Sequence, residues 1–358
     1  MSERLTEFQK KLQEAELDAF FISNITNSYY FTKFLSHSYV YLIVFPDDTP
    51  YFFVPELEFE DAVRKVKNCE VVKVGKKGKV LELIKGKLEN KQVKNLGIEE
   101  NSMSVKLYLD ISEKYDFLEL ENGSVFIDNL RKRKNKDEIE QLKMACQIAD
   151  KGFVAAIENI TEGKTEIEIA AEIEYVMRKN GSEATPFDTI VASGHRSAFP
   201  HGVSTHKKIE SGDLIIIDLG ATYEGYRSDM TRTVVLGAPS PKSLKVFNAV
   251  LETQQEAIKA CDIEKHASDI EKKAREILSA KGLNDYFVHS LGHGVGLDVH
   301  ELPTLALISE DILMENNVFT IEPGVYIPNF GGVRIEDVVH LTKKGAEPLT
   351  KSEYTIKI

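Results

Sequence analysis

The feature that most restricts the fold is an apolar hairpin that carries two aspartates. In the stretch IIIDLGATYEGYRSDMTRT (215–233), Asp218 directly follows three isoleucines, and Asp229 comes eleven residues later. Asp is depleted in strands, and an ionised carboxylate is costly to bury unless a positive group meets it. The two apolar runs surround Glu224–Gly225, which predicts a hairpin turn. A two-residue loop at Tyr223–Glu224 would place the two aspartates directly opposite each other, and a shift of one residue makes them diagonal neighbours. Three interpretations stay open: one aspartate is protonated, a cation lies between the two, or Asp218 ends a strand while Asp229 caps a turn.

A second segment concentrates histidines among glycines. FVHSLGHGVGLDVHE (287–301) contains His289, His293 and His300, which are three of the nine histidines in the chain. His289 and His293 have helical spacing, but the interspersed glycines indicate irregular backbone that can approach a ligand or ion closely. A single histidine is usually an ordinary hydrogen-bonded residue, whereas three within twelve positions favour a site.

Two further acids lie in apolar surroundings. In FTIEPGVYIPNFGGVRIEDVVHL (319–341), Glu322 ends an apolar strand and Glu336 lies among Ile and Val, with Arg334 on the same strand face. Asp337 is expected to be a solvated acid. The four carboxylates at 218, 229, 322 and 336 carry a charge of −4, which two divalent cations neutralise. Oxygen ligands with one imidazole suit Mn, Co, Fe or Zn, and two such ions can activate water.

The order of the elements predicts an α+β chain of two domains. A length of 358 residues exceeds what one core usually holds. Residues 1–128 alternate short strands and helices, which indicates a small α/β domain without a phosphate-binding glycine fingerprint. Residues 129–358 contain long helices, two of them before the hairpin and two after it, and then mostly strands. Strands are expected at DAFFIS (18–23), YLIVF (41–45), YFFV (51–54), CEVVKV (69–74), NLGIEE (95–100) and FLELE (117–121), and helices at 55–66 and 78–89.

Composition excludes several classes of partner. The chain has 45 Lys and Arg against 57 Asp and Glu, for a net charge of −12, which argues against nucleic acid or an anionic membrane as a partner. The basic clusters Arg131–Lys136 and Lys73–Lys79 are expected to be solvated. The three cysteines form no metal-binding or disulfide pattern, and no apolar signal region or spanning run is present. A cytoplasmic location is expected.

The motifs resemble the pita-bread metallopeptidases, and most closely the prolidase and Xaa-Pro aminopeptidase group. The segments that carry the resemblance are 217–233, 289–301, TIEPGVY (320–326) and GGVRIED (331–337), and the match extends over essentially the whole chain. The resemblance implies a C-terminal domain with a curved antiparallel sheet inside outer helices, and an N-terminal domain of the creatinase/prolidase type. It also implies hydrolysis of the bond preceding proline by a hydroxide bridging two metal ions, with manganese or cobalt first and zinc or iron next. A homodimer is expected on the same ground.

The resemblance assigns a role to each candidate residue. Asp218 and Asp229 would bind metal with His293, Glu322 and Glu336, and Glu322 would also shuttle a proton. The segment SGHRSAFPHG (193–202) supplies His201 to the substrate pocket, and His300 would stabilise the oxyanion. His289 and Arg334 would orient the substrate or the ligands.

The choice between related activities rests on fewer residues. Some prolidases have a basic residue after the HE-x-P segment that pairs with the dipeptide carboxylate, but here Pro303 is followed by Thr304. This leaves Arg334 or His201 as alternative anchors, and dipeptides with proline in the second position are the preferred substrate. An Xaa-Pro aminopeptidase acting on longer peptides is the alternative. Methionine aminopeptidase, a metal-free creatinase-like enzyme and a non-enzymatic binding protein fit less well, because the N-terminal domain and all five ligand positions are present.

Overall fold

A computed structural model describes residues 3–75 and 79–358 of the chain. The chain divides into two compact units, the first up to Leu130 and the second from Arg131 to Ile358. Part of the basic cluster at 73–79 and the predicted helix start at residue 78 lie outside the described residues.

The first unit is built on a mixed six-stranded sheet. Its elements are α1 (Glu3–Glu14), β1 (Ala19–Ile22), α2 (Ile25–Thr32), β2 (Tyr41–Val44), β3 (Tyr51–Pro55), α3 (Glu56–Lys65), β4 (Glu70–Val74), α4 (Val80–Asn90), β5 (Asn95–Ile98), α5 (Val105–Lys114), β6 (Glu119–Asn122) and α6 (Ser124–Lys132). The strand order is β4-β3-β2-β1-β5-β6, with parallel pairing for β3–β4, β1–β5 and β5–β6. All six predicted strands are present, whereas the helices α2, α5 and α6 were not anticipated.

Side-chain alternation along β1 gives this sheet two buried faces. Phe20 meets Phe8 of α1 edge to face at 5.1 Å, while Phe21 belongs to the cluster that includes Ile84 of α4 and Ile111 of α5. Successive residues of a strand point to opposite faces, so neighbouring phenylalanines anchor helices on both sides.

The second unit contains two helix pairs and antiparallel strands. Its elements are α7 (Lys136–Asn159), α8 (Glu166–Lys179), β7 (Ile190–Ser193), β8 (Leu214–Leu219), β9 (Thr222–Tyr223), β10 (Tyr226–Arg227), β11 (Met230–Val235), α9 (Pro241–Ala260), α10 (Ala267–Ala280), β12 (Gly292–Gly294), β13 (Glu301–Leu305), β14 (Val318–Ile321), β15 (Gly324–Ile327), β16 (Gly331–Arg334), β17 (Asp337–Thr342) and β18 (Gly345–Pro348). Helices α7 and α8 pack on the sheet β11-β8-β7, and α9 and α10 pack against the sheet β13-β12-β14-β17-β18. This two-part arrangement confirms the predicted α+β class.

Local sequence signals set the ends of the long helices. Asn135 and Thr165 each begin a helix with a reciprocal capping box, and Ser240 caps α9 ahead of Pro241. The apolar face of α7 is buried. Each fully buried Leu or Ile contributes about 1.5–3 kcal/mol. Within residues 3–75 and 79–358, no helix combines the length and the apolar character needed to cross a membrane.

The hairpin that carries the two aspartates turns at Glu224–Gly225, as the sequence predicts. Tyr223 pairs with Tyr226, so the loop is Glu224–Gly225, and both loop residues have positive φ, 47° and 74°. This is the backbone that a two-residue hairpin of the type I′ kind requires. Asp218 pairs with Thr231, which makes Asp218 and Asp229 diagonal neighbours. The directly opposed register is therefore wrong, and the diagonal alternative is confirmed.

The basic cluster at 131–136 is largely buried, which corrects the prediction that it is solvated. The side chains of Arg131, Lys132 and Lys134 are only 8%, 7% and 2% exposed. Arg131 and Lys134 pair with the two oxygens of Glu301 at 2.6 and 2.8 Å, and Lys132 pairs with Asp311. These cations are buried because acids far along the chain compensate their charge.

Candidate metal centre

Five side chains from both halves of the second unit converge on one centre. Asp218 lies near the end of β8 and Asp229 immediately before β11, while His293 lies in β12, Glu322 follows β14, and Glu336 separates β16 from β17. These are the five residues that the sequence singled out as metal ligands. Strand ends are suitable positions because the sheet fixes the backbone while the side chain leaves the ladder.

The distances between these groups are those of a compact acidic cluster. His293 Nε2 lies 3.3 Å from Glu322 Oε1 and 3.7 Å from Asp229 Oδ2. One ligand atom each from Asp229, His293 and Glu336 lie within 4.8 Å of one another, close enough to surround a single ion. Asp218 is joined to the cluster electrostatically, since its negative charge raises the pKa of Asp229 and of Glu336.

The glycines around His293 allow its strand to lie between two others. A Cβ at Gly292 would collide with the carbonyl oxygen of Thr320, and a Cβ at Gly294 would collide with that of Leu302. The backbone N–H of His293 donates to Thr320 Oγ1 at 3.1 Å, and its Nδ1 lies 3.1 Å from the carbonyl of Gly294. If Nδ1 donates to that carbonyl, the free lone pair is on Nε2, the atom that faces the acids.

A buried arginine connects Asp218 to two other side chains. Arg334 Nη2 donates to Asp218 Oδ2 at 2.5 Å, and Nη1 donates to the hydroxyl of Tyr326 at 2.7 Å. The same hydroxyl lies 3.0 Å from His289 Nε2. Arg334 also donates to Thr231 and to the carbonyl of Pro200. With its guanidinium engaged in this way, Arg334 is better suited to orienting Asp218 than to binding a substrate carboxylate.

Most of the acids at the centre are unfavourable as anions, because they are buried and repel one another. Burial, and then the charges of the neighbouring acids, raise the pKa of Asp229 and of Glu336 well above the ordinary value. Burial also raises the pKa of Asp218, although Arg334 opposes the shift. Glu322 differs: burial raises its pKa, but the hydrogen bond to His293 and the nearby positive charges together outweigh burial and lower it. Acids that repel one another in a dry site are stabilised as anions when cations lie between them.

One buried carboxylate oxygen without a hydrogen-bond partner also indicates that a cation binds at this centre. Asp218 Oδ1 is buried and has no hydrogen-bond partner among the described residues, although Oδ2 is held by Arg334. A buried carboxylate oxygen without a donor is unfavourable by about 1–3 kcal/mol or more. A divalent ion would satisfy this oxygen, so the donor set fits the metals that the sequence analysis expected.

Two histidines border the centre on its exposed side. His300 and His201 are both exposed, and the ring of His300 packs edge-on against that of His293 with centroids 4.2 Å apart. Partial desolvation of its ring, and then the charge of His293, lower the pKa of His300. His300 is therefore a neutral imidazole at neutral pH and can act as a hydrogen-bond donor.

Tyr326 was not predicted as a residue of the centre, and Asp337 was predicted in the wrong environment. Tyr326 lies in the TIEPGVY segment, but nothing in its local pattern separates it from an ordinary core tyrosine. Asp337 is fully buried rather than solvated, because it pairs with Arg232 at 2.7 Å and accepts from Gln254 and Tyr354. Because Asp337 is adjacent to Glu336 along an extended chain, its side chain points to the opposite face, where Arg232 neutralises its charge.

Comparison with known proteins places this geometry in a family. The model of metallopeptidase family M24 matches residues 140–343, and that of the creatinase/prolidase N-terminal domain matches residues 4–133. The Xaa-Pro dipeptidase of Pyrococcus furiosus is 46% identical over 99% of both chains. The structure of the prolidase from Pyrococcus horikoshii OT3 superposes with a TM-score of 0.92 at 41% identity, covering 98% of this chain and 99% of that one. The X-Pro aminopeptidase from Thermotoga maritima has a TM-score of 0.89 at 36% identity, covering 97% and 100%.

These matches extend over nearly the full length of each relative, and the family models account for both structural units. The predicted family and the predicted two-domain fold are thereby confirmed. The chain belongs to the M24 metallopeptidase family, with a creatinase/prolidase-type N-terminal domain ahead of the M24 region.

Proposed function

We propose that the protein hydrolyses the peptide bond preceding proline in Xaa-Pro dipeptides, using two divalent metal ions. The observation that carries the proposal is the convergence of four carboxylates and one imidazole, with Asp229 and Glu336 destabilised as anions by their neighbours. The relatives named Xaa-Pro dipeptidase and the solved prolidases support the substrate class. Two ions, when bound, would activate a water molecule and polarise the scissile carbonyl.

The protein's own side chains would hold the ions and move the proton. Asp218, Asp229, His293, Glu322 and Glu336 would provide the ligands, and Asp229 and Glu336 would be the two shared between the ions. Manganese or cobalt is proposed first, since oxygen ligands with one imidazole suit these ions.

Glu322 would be the proton shuttle of the reaction. Its lowered pKa keeps it ionised, so that it can accept a proton from the attacking water. It would then deliver this proton to the proline nitrogen as the C–N bond breaks. His300 would donate a hydrogen bond to the carbonyl oxygen as negative charge develops there, and His201 would contact the substrate.

The preference for proline has a plausible chemical basis. The nitrogen of an Xaa-Pro bond carries no N–H, so a site that accepts it cannot depend on that donor. The pyrrolidine ring also presents a compact apolar face. The exposed side chains of Phe199 and Val203 flank His201 in the sequence and could provide apolar surface beside it.

Xaa-Pro aminopeptidase activity is the second candidate, and a specific observation favours it. Arg334 is committed to Asp218, Tyr326 and Pro200, and Thr304 stands where some prolidases have a basic residue. A dipeptide carboxylate would therefore have to be bound without Arg334 and without a basic residue at position 304. His201 is the remaining candidate for binding it. Longer peptides do not present a carboxylate at that position.

One assay separates these possibilities. Protein stripped of metal is reloaded with Mn²⁺ or Co²⁺ and tested on an Xaa-Pro dipeptide and an Xaa-Pro-Yaa tripeptide. Faster cleavage of the dipeptide supports the first proposal, faster cleavage of the tripeptide supports the second, and cleavage of neither refutes both. Asp229→Asn should abolish activity and weaken metal binding, whereas Asp337→Asn should lower stability but retain metal. Unchanged activity of Asp229→Asn would refute the ligand set.

The assembly of the protein is proposed from the family resemblance, and its location from the three cysteines, which form no disulfide pattern. A homodimer in the cytoplasm is the expected state. Light scattering of the purified protein measures the mass directly, and a monomer at micromolar concentration would contradict the dimer.

A further inference from the structure

One buried carboxylate near the centre is used neither as a metal ligand nor as a helix cap. Glu166 is the first residue of α8, and its side chain is fully buried. The cap of this helix is already provided by Thr165 and Glu168 through their reciprocal hydrogen bonds. A buried anion is costly unless it is fully hydrogen-bonded, so Glu166 requires an explanation beyond helix formation.

Glu166 binds both ends of a single loop. Its Oε1 accepts from the backbone N–H and the hydroxyl of Ser193 at 2.8 and 2.9 Å. Its Oε2 accepts from the backbone N–H and the hydroxyl of Thr205 at 3.0 and 2.7 Å, and from Arg196 Nε at 3.1 Å. The segment between these anchors, residues 194–204, is called the His201 loop below.

The side chain of Arg196 contacts both Glu166 and the far part of the His201 loop. Its Nη2 donates to the carbonyl of Val203 at 2.6 Å, so the guanidinium links Glu166 to both halves of the His201 loop. An arginine fork is suited to this because its N–H groups are fixed in one plane. The loop is thus closed at its base by one carboxylate and one guanidinium.

The other side of the His201 loop contacts the metal centre. Pro200, the residue before His201, accepts from Arg334 Nη1 at 3.1 Å, and Arg334 also holds Asp218. Ser197 Oγ accepts from the backbone N–H of Gly332 at 2.9 Å. The imidazole of His201 is close enough to those of His289 and His300 to interact with them electrostatically.

We propose that Glu166 is a positioning residue that holds the His201 loop, and so His201, in register with the metal centre. This inference rests on the proposed function insofar as His201 contacts the substrate. A carboxylate is required because all five contacts are donors, and an amide would turn its NH₂ group towards some of them. Loosening the loop would move His201 relative to the bound peptide without touching a metal ligand.

The first test is kinetic, with Glu166→Gln compared with Glu168→Gln. Glu168 lies in the same turn and caps the helix but does not contact the loop, so it is a matched control. Glu166→Gln should raise KM for the Xaa-Pro peptide by about 10-fold or more and leave kcat within about threefold. Metal stoichiometry should stay that of the wild type. Equal effects of the two substitutions, or loss of metal with Glu166→Gln, would overturn the proposal.

A double-mutant cycle tests whether Glu166 acts through His201. In a His201→Ala background, Glu166→Gln should change KM by no more than about twofold, because the group being positioned is absent. Full additivity of the two effects on KM would show that Glu166 does not act through His201 and would overturn the proposal. If Glu166→Gln does not fold, Glu166→Asp retains the charge at a shorter reach and should show a smaller rise in KM with the same non-additivity.

Amide hydrogen exchange provides a readout that does not depend on activity. Residues 194–204 of the metal-free protein should exchange faster in Glu166→Gln than in Glu168→Gln, while α8 should differ little between the two. Unchanged protection of the loop would overturn the proposal whatever the kinetics. If the wild-type protein cleaves no Xaa-Pro peptide, the proposed function fails, and the exchange experiment alone decides whether Glu166 holds the loop.

Discussion

Replacing Glu301 by Gln should destabilise the second unit strongly. Glu301 directly follows His300, and its carboxylate pairs with Arg131 at 2.6 Å and with Lys134 at 2.8 Å. The three side chains are between 2% and 9% exposed, so water screens these pairs little. Gln would retain one acceptor oxygen but would remove the carboxylate charge that pairs with buried Lys134, while Arg131 would keep its pair with Asp298 at 2.7 Å.

The expected loss of stability follows from the free-energy cost of removing the partner of a buried charge. Removing one partner of a buried ion pair costs about 3–5 kcal/mol. For a domain of roughly 150–250 residues, each kcal/mol lowers the unfolding midpoint by about 2–4 °C, so a decrease of about 6–20 °C is expected. The lower end applies if the amide oxygen of Gln keeps one of the two donors satisfied.

Calorimetry of the metal-free protein measures this effect without a contribution from metal binding, which would itself shift the midpoint. The control is Glu252→Gln, because Glu252 pairs with Lys281 while the two side chains are 56% and 29% exposed. Such an exposed pair contributes about 0–1 kcal/mol. A midpoint change for Glu301→Gln no larger than that of Glu252→Gln would refute the reasoning.

The difference in stability between the wild type and Glu301→Gln should also depend on pH. Burial alone would raise the pKa of Glu301, but the charges of Lys134 and Arg131 outweigh it and lower the pKa below its ordinary value of 4.5. A lowered pKa in the folded state means that the stabilisation is fully present above 4.5 and is lost as the pH falls through the folded value. The wild type and Glu301→Gln should therefore differ most near neutral pH and converge in acid.

Two further substitutions test the geometry of the centre. Tyr326→Phe removes the hydroxyl that accepts from Arg334 and should lower kcat by about 10- to 100-fold with metal stoichiometry retained; a change in KM alone would contradict this. Gly292→Ala would push a methyl group into a carbonyl of β14 and should weaken metal binding and lower the unfolding midpoint, whereas Gly86→Ala, which has open space in α4, should do neither. Wild-type metal affinity in Gly292→Ala, measured by titration calorimetry, would contradict the packing argument.

Much of the centre could be predicted because its ligands violate local preferences. Asp218 follows three isoleucines, and Glu322 ends an apolar strand, so each residue contradicts the pattern around it. The register of the hairpin was less certain, because shifting a two-residue loop by one position changes which residues face each other. Because the loop is Glu224–Gly225, in which both residues have positive φ, Asp218 pairs with Thr231 and lies diagonal to Asp229.

The basic cluster could not be predicted in the same way. A run of Arg and Lys is usually solvated, and nothing near Arg131 in the sequence indicates a partner. Its partner Glu301 is 170 residues away along the chain. The Glu166 contacts with the His201 loop are similarly non-local, since they join a helix start to residues 27 and 39 positions later. Such pairs depend on the folded topology, which local patterns do not encode.

The adjacent acids Glu336 and Asp337 show what distinguishes a proposed metal ligand from a structural acid. Both are buried, and their sequence surroundings are the same. Asp337 meets Arg232, just as Glu301 and Glu166 meet cations of their own, so the protein itself neutralises these charges. Within the described residues, Glu336 forms no ion pair with a lysine or arginine, and its pKa is raised well above the ordinary value by burial and by neighbouring acids. A buried acid that has no lysine or arginine partner and lies among other acids, as Glu336 does, is stabilised as an anion when a metal ion binds beside it.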